Sequence, residues 1–331
     1  MLLKQRVIAW GVLGLAVVCA AACDDAKSGP KGNSGGFIGS GDAGAGGVAG
    51  AGGEPTLPGM PEGGPGSGPP CNGAPALCSK SFSDVTFLGT HLSMASDDTW
   101  PTQTQGRALN DQLLTGGVRA LELEVHDDQG ALAVCEGDCS VASSSLASVL
   151  RQVSSFVTQN PTDVLTLVLR SNVSPDALLK AFDDQALVPL AHAQAPGKAW
   201  PTLRQMIDDN QRLVVFIERL PAAADAGDTP IALPAWLHAL SDWAWETAPS
   251  EGSNCAVAQG SAKSPLAILN QYVADESNQD DTLTNAHAPE VIAARLNRCK
   301  DDRGHVPNFV FVNFAEVGDP NGGVQIANGL R

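Results

Sequence analysis

The sequence predicts an α/β protein whose one folded domain is a (β/α) barrel of TIM type, and three observations carry that expectation. Short apolar runs rich in Val and Leu recur through the chain. Stretches with helical spacing lie between them. Ionisable side chains stand at the ends of the first two runs, His91 after one and Glu124 with His126 closing the other. Strand-like runs alternating with helices form a parallel sheet covered on its outside. Charge at the carboxyl end of a buried strand is costly unless paired or used, and barrel enzymes build their sites there.

The N-terminal 22 residues, MLLKQRVIAWGVLGLAVVCAAA, place Lys4 and Arg6 ahead of an apolar run too short for a stable span. They read as a secretory signal. Its end, Ala20-Ala21-Ala22-Cys23, resembles the lipobox of bacterial lipoproteins, which implies acylation of Cys23 and a place in the cell envelope, facing periplasm or exterior. Residues 24–70 are mostly Gly, Ala, Pro and Ser and bury too little apolar surface to offset ordering entropy, so they form a linker. The domain therefore spans 71–331, about 260 residues, a usual size for one barrel.

Within it the expected strands are 85–90, 120–125, 132–135, 164–169, 213–218, 266–272 and 309–314. The expected helices are 143–158, 175–183, 202–209, 234–245 and 289–299. Trp243 and Trp245 read as helix packing. No GxGxxG turn follows the first strand, which argues against a dinucleotide fold.

An exported domain keeps its cysteines oxidised, and proximity favours Cys71 with Cys78, Cys135 with Cys139, and Cys255 with Cys299. A zinc site at Cys135 and Cys139 is the rival reading, but no companion pair sits at finger-like spacing. The formal charge of −16 argues against nucleic acid and against docking on anionic membrane by a basic face. Membrane contact is expected through the lipid anchor, from a monomer. An anionic substrate needs a local cation.

Side chains alternate along a strand, so Glu122, Glu124 and His126 share one face while Leu121, Leu123 and Val125 meet the helices. Two adjacent carboxylates repel unless a cation or a shared proton intervenes. Ca²⁺ or Mg²⁺ held by Glu122 and Glu124 is one solution. An internal network in which Arg119 and Arg170 neutralise the acids is the other.

The segments CNGAPALC, FSDVTFLGTHLSM, GGVRALELEV, VCEGDC, NPTDVLTLVL, WPTLRQMI, RLVVFIE, WAWET and PNFVFVNFAEVGD, in this order, resemble the phospholipase C-like phosphodiesterases. This is the superfamily of the phosphatidylinositol-specific phospholipase C X domain, and the resemblance is nearest to its secreted bacterial and plant branch. It implies cleavage of a phospholipid head group or related diester. His91 stands in the place of the family's base. The family's second histidine falls at Glu136, leaving Glu136 or His126 as the proton donor, with Arg119 and Arg170 as substrate contacts. Further departures are Leu92 for an Asn, Arg170 for an acid, Asn313 for an Asp and Gln259 for an Arg. The alternative is a catalytically degenerate barrel that binds a partner at the envelope.

Overall fold

Val, Leu and Phe dominate short segments that pair into one sheet, and the alternation of their side chains sorts two cores. The computed structural model describes residues 68–97, 99–100, 102–171, 173–219, 233–250, 254–272 and 281–331. The signal segment, Cys23 and nearly all of the linker lie outside the described residues. The strands are β1 (Phe87–Thr90), β2 (Ala120–Asp128), β3 (Ala131–Val134), β4 (Ser144–Ser145), β5 (Leu165–Ser171), β6 (Leu213–Arg219), β7 (Leu237–Ala239), β8 (Ala244–Thr247), β9 (Val257–Gln259), β10 (Leu266–Gln271) and β11 (Phe309–Val312). The helices are α1 (Leu109–Leu114), α2 (Leu146–Gln159), α3 (Pro175–Asp183), α4 (Leu203–Asp208), α5 (Leu240–Trp243), α6 (Asp281–Ala286), α7 (Pro289–Arg303) and α8 (Pro320–Ala327).

Pairing runs β7-β6-β5-β2-β1-β11-β10-β8, all parallel. β9 adds antiparallel to β8, and β3 with β4 forms a flap on β2. Among the described residues no ladder joins β7 to β8, so the wall has one unpaired seam. This is the curled parallel sheet with outer helices that the sequence predicts.

The outward side chains Leu121, Leu123, Leu167 and Val215 pack on Val149, Val153, Leu178 and Ile292 of the helices. The inward set, Ala120, Val168, Phe216, Ile268, Phe309 and Phe311, fills the barrel and meets Phe82 and Trp200. Gly89 belongs to this inward set, since an added Cβ would lie 2.7 Å from the Phe311 ring. Helix starts follow their capping chemistry. Ser145 and Ser174 accept from the first turns of α2 and α3, Thr202 and Gln205 form a capping box on α4, and Pro289 opens α7.

All three disulfides, Cys71–Cys78, Cys135–Cys139 and Cys255–Cys299, are present. The expected helix over 234–245 is not. It resolves into β7, the single turn α5 and β8. Apolar residues at roughly helical spacing misled there, because both strands are short and mostly buried. Trp245 is buried on β8, not on a helix.

Candidate functional site

His91 follows β1 on the inward face, and a local network fixes its turn. The Gln105 amide donates to the carbonyls of His91 (2.9 Å) and Val312 (3.0 Å), and Thr104 Oγ1 donates to His91 O at 3.1 Å. Ser93 N donates to Glu122 O, while Glu122 N donates to Ser93 Oγ at 3.1 Å, so the turn is stitched to β2. Leu92 has φ of 41°, a left-handed conformation that costs a branched side chain.

The ring of His91 is held on three sides. Nδ1 lies 2.9 Å from Asn313 Oδ1, Nε2 lies 3.7 Å from Glu122 Oε1, and Tyr272 stacks on one face at 3.9 Å and 11°. These contacts fix the plane of the ring, with Nδ1 toward the Asn313 amide and Nε2 on the side of Glu122.

Glu124 organises the second half of the mouth. Its Oε1 lies 2.7 Å from His126 Nε2 and accepts from Gly137 N at 3.0 Å. Gly137 belongs to the loop closed by the Cys135–Cys139 disulfide, the loop in which the resemblance places a second histidine. Glu136, in that loop, has a buried Oε2 without a hydrogen-bond partner among the described residues. Glu122 and Glu124 are two residues apart on one face, a step of about 6–7 Å. The Glu-x-Glu strand thus gives His91 and His126 one carboxylate each, Glu122 for the first and Glu124 for the second.

Arg170, inward on β5, reaches three carboxylates. It donates to Glu122 Oε2 at 3.2 Å and to Glu246 in a two-pronged contact at 3.2 and 2.8 Å, and it pairs with Glu218. Burial alone would lower its pKa, but Glu122 and Glu246 outweigh that and raise it, so Arg170 is a permanent cation. Arg170 thus meets Glu122 as the internal network expects, while Glu124 is met by His126 and Gly137 instead.

Arg119 is elsewhere. It precedes β2 at the closed end of the barrel, where it pairs with Asp163 at 2.9 Å and donates to the carbonyls of Leu113 and Val118. Strand direction explains the correction, since only residues at carboxyl ends reach the mouth. Gln259 is exposed on β9.

Glu122 and Glu124 are engaged by protein donors. Their oxygens serve Arg170, His126 and Gly137, and among the described residues no three His, Cys, Asp or Glu side chains converge as metal ligands. Glu218, Glu246, Asn270 and Tyr272 were not read as site residues from the sequence. Glu218 and Glu246 carry the same signal that singled out His91, a charged residue at the carboxyl end of an apolar run.

The chain matches the family model described as PI-PLC X 1 over residues 77–328. It is 28% identical to a PI-PLC X domain-containing protein of Arabidopsis thaliana, over 66% of this chain and 53% of that protein. It is 24% identical to an uncharacterized secreted protein of Arthroderma benhamiae, over 79% of this chain and 64% of that one. The chain therefore spans about half to two thirds of the length of these relatives. Two structures of phosphatidylinositol-specific phospholipase C from Staphylococcus aureus superpose with TM-scores of 0.50 and 0.51, both at 13% identity. They cover 76% of this chain and 95% and 94% of theirs, a likeness of fold alone.

Proposed function

Because the chain belongs to the PI-PLC X family, we propose that its barrel mouth cleaves a phosphodiester, with His91 as base and His126 as acid. The observation that carries this reading is the pair of imidazoles held by alternate carboxylates of one strand face, His91 against Glu122 and Asn313, His126 against Glu124. His91 Nε2 takes the proton of the attacking oxygen, from a substrate hydroxyl or water, as that oxygen bonds to phosphorus. The bond to the leaving oxygen breaks, and His126 supplies that oxygen with its proton. Arg170 stabilises charge on the phosphoryl oxygens. Glu136 is the competing donor, one disulfide loop away. An anchor at Cys23 would keep the barrel at a membrane, beside phospholipid head groups.

The test is turnover by the full chain on mixed phospholipids and on a chromogenic diester. His91→Ala is expected to remove turnover, and His126→Gln to lower kcat by roughly a hundred-fold or more. A hundred-fold loss in Glu136→Gln with His126→Gln unaffected would move the acid to Glu136. Turnover undiminished in His91→Ala would overturn the reading.

One observation favours the second reading, a binding barrel without turnover. Three carboxylates already surround the Arg170 guanidinium, leaving it few donors for a phosphate. Selective ligand binding with no hydrolysis by the wild-type chain is the outcome that reading predicts.

A further inference from the structure

Among the described residues, acids outnumber bases around Arg170. Glu122, Glu218 and Glu246 face one guanidinium, with the His91 ring beside Glu122. The side chains of Glu122 and Glu246 are only 4% and 6% exposed, so solvent screens them weakly. Hydrogen-bonding capacity is lopsided in the same direction. Asn270, 4% exposed, uses its Nδ2 on Thr247 O (2.9 Å) and Glu246 Oε2 (3.4 Å), while its Oδ1 has no donor among the described residues. A buried acceptor without a donor is costly, and beside surplus carboxylates a positively charged N–H group meets both needs at once. Glu218, at 28%, is the most open of the three acids and gives that group its way in.

We propose that the mouth recognises a primary ammonium, so that the diester it takes carries an ethanolamine-like head group. This rests on reading the mouth as a phosphodiester site. Phosphate lies toward His91 and Arg170, and the ammonium lies among Glu218, Glu246 and Asn270. The ammonium replaces the missing positive charge and donates to Asn270 Oδ1. A trimethylated head group supplies the charge without the donor, and an inositol head group supplies neither the charge nor a cationic donor. A divalent ion is the competing cation.

Calorimetric titration of the full chain with glycerophosphoethanolamine, glycerophosphocholine and glycerophosphoinositol tests this without requiring turnover. Glycerophosphoethanolamine is expected to bind about ten-fold or more tighter than glycerophosphoinositol, with glycerophosphocholine between them. Glu218→Gln should erase most of that preference and Glu218→Asp retain it, with thermal melts confirming that each variant folds. Equal affinities, tightest binding of the inositol diester, no binding of any diester, or a preference that survives in folded Glu218→Gln would each overturn the proposal. So would stoichiometric Ca²⁺ binding that Glu218→Gln abolishes, since the metal would then be the missing charge. Selective ammonium binding without hydrolysis would leave this inference standing and remove the catalytic reading. Hydrolysis of all three diesters at equal rates and affinities would do the reverse.

Discussion

Arg170 is the residue on which most of the mouth depends. Removing one partner of a buried ion pair costs more than the pair contributes, because the remaining charges stay buried and unmatched. Arg170→Met is therefore expected to destabilise the chain by about 3 kcal/mol or more, read as a lower urea midpoint. Arg170→Lys keeps the charge but loses the planar fork that spans two oxygens of Glu246, and should fall between. Equal midpoints for Arg170→Met and wild type would show that the network contributes nothing. The Glu-x-Glu strand and His91 were legible because charge on an apolar alternating run stands out in one dimension. Which cation meets which acid was not legible, because Arg119 and Arg170 differ only in which end of a strand they occupy. Asn270 and Tyr272 were hidden for another reason. An amide or a phenol at the end of a run gives no signal until its neighbours are known.

Among the elements, β1 shows how tightly the barrel interior is fitted. Gly89 lies in register between Phe311 of β11 and Ala120 of β2, and a methyl group there would also stand 3.1 Å from the Ala120 Cβ. Two ladders hold β1, so the strand cannot back away. Gly89→Ala is expected to cost about 1–3 kcal/mol, measured by chemical denaturation, and to lower turnover by displacing His91 two residues later. A fully stable variant would mean that the Phe311 ring swings aside. The long strands and the long helices α2 and α7 were readable because their periods extend over several turns or alternations, whereas the short capped α8 was not read. The stretch over 234–245 was not, since strands of three and four residues joined by one helical turn offer too few repeats to separate period 2 from period 3.6.

For the whole molecule, buried histidines couple the fold to acidity. Burial lowers the pKa of His238, His287 and His305, against hydrogen bonds to backbone carbonyls that raise it. A base depressed in the folded state binds fewer protons than the unfolded chain does. These three residues therefore make stability rise with pH up to the unfolded value of about 6.5, and their cost appears as pH falls below it. Urea midpoints are expected to drop between pH 7.5 and pH 5.5, with a smaller drop in His238→Gln, which keeps a donor for His192 O. An unchanged pH slope in that variant would remove His238 from the account.

The unpaired seam has a mechanical meaning. A closed cylinder can change its girth only by breaking rungs, whereas a slit cylinder can widen along the slit. Between β7 and β8, which no ladder joins among the described residues, the chain runs through the four residues of α5, Leu240–Trp243. Glu246 stands on the strand just beyond that turn. Any spreading of the slit would therefore shift one acid of the mouth relative to Arg170 on β5, so a ligand that grips both would act as a clasp across the opening.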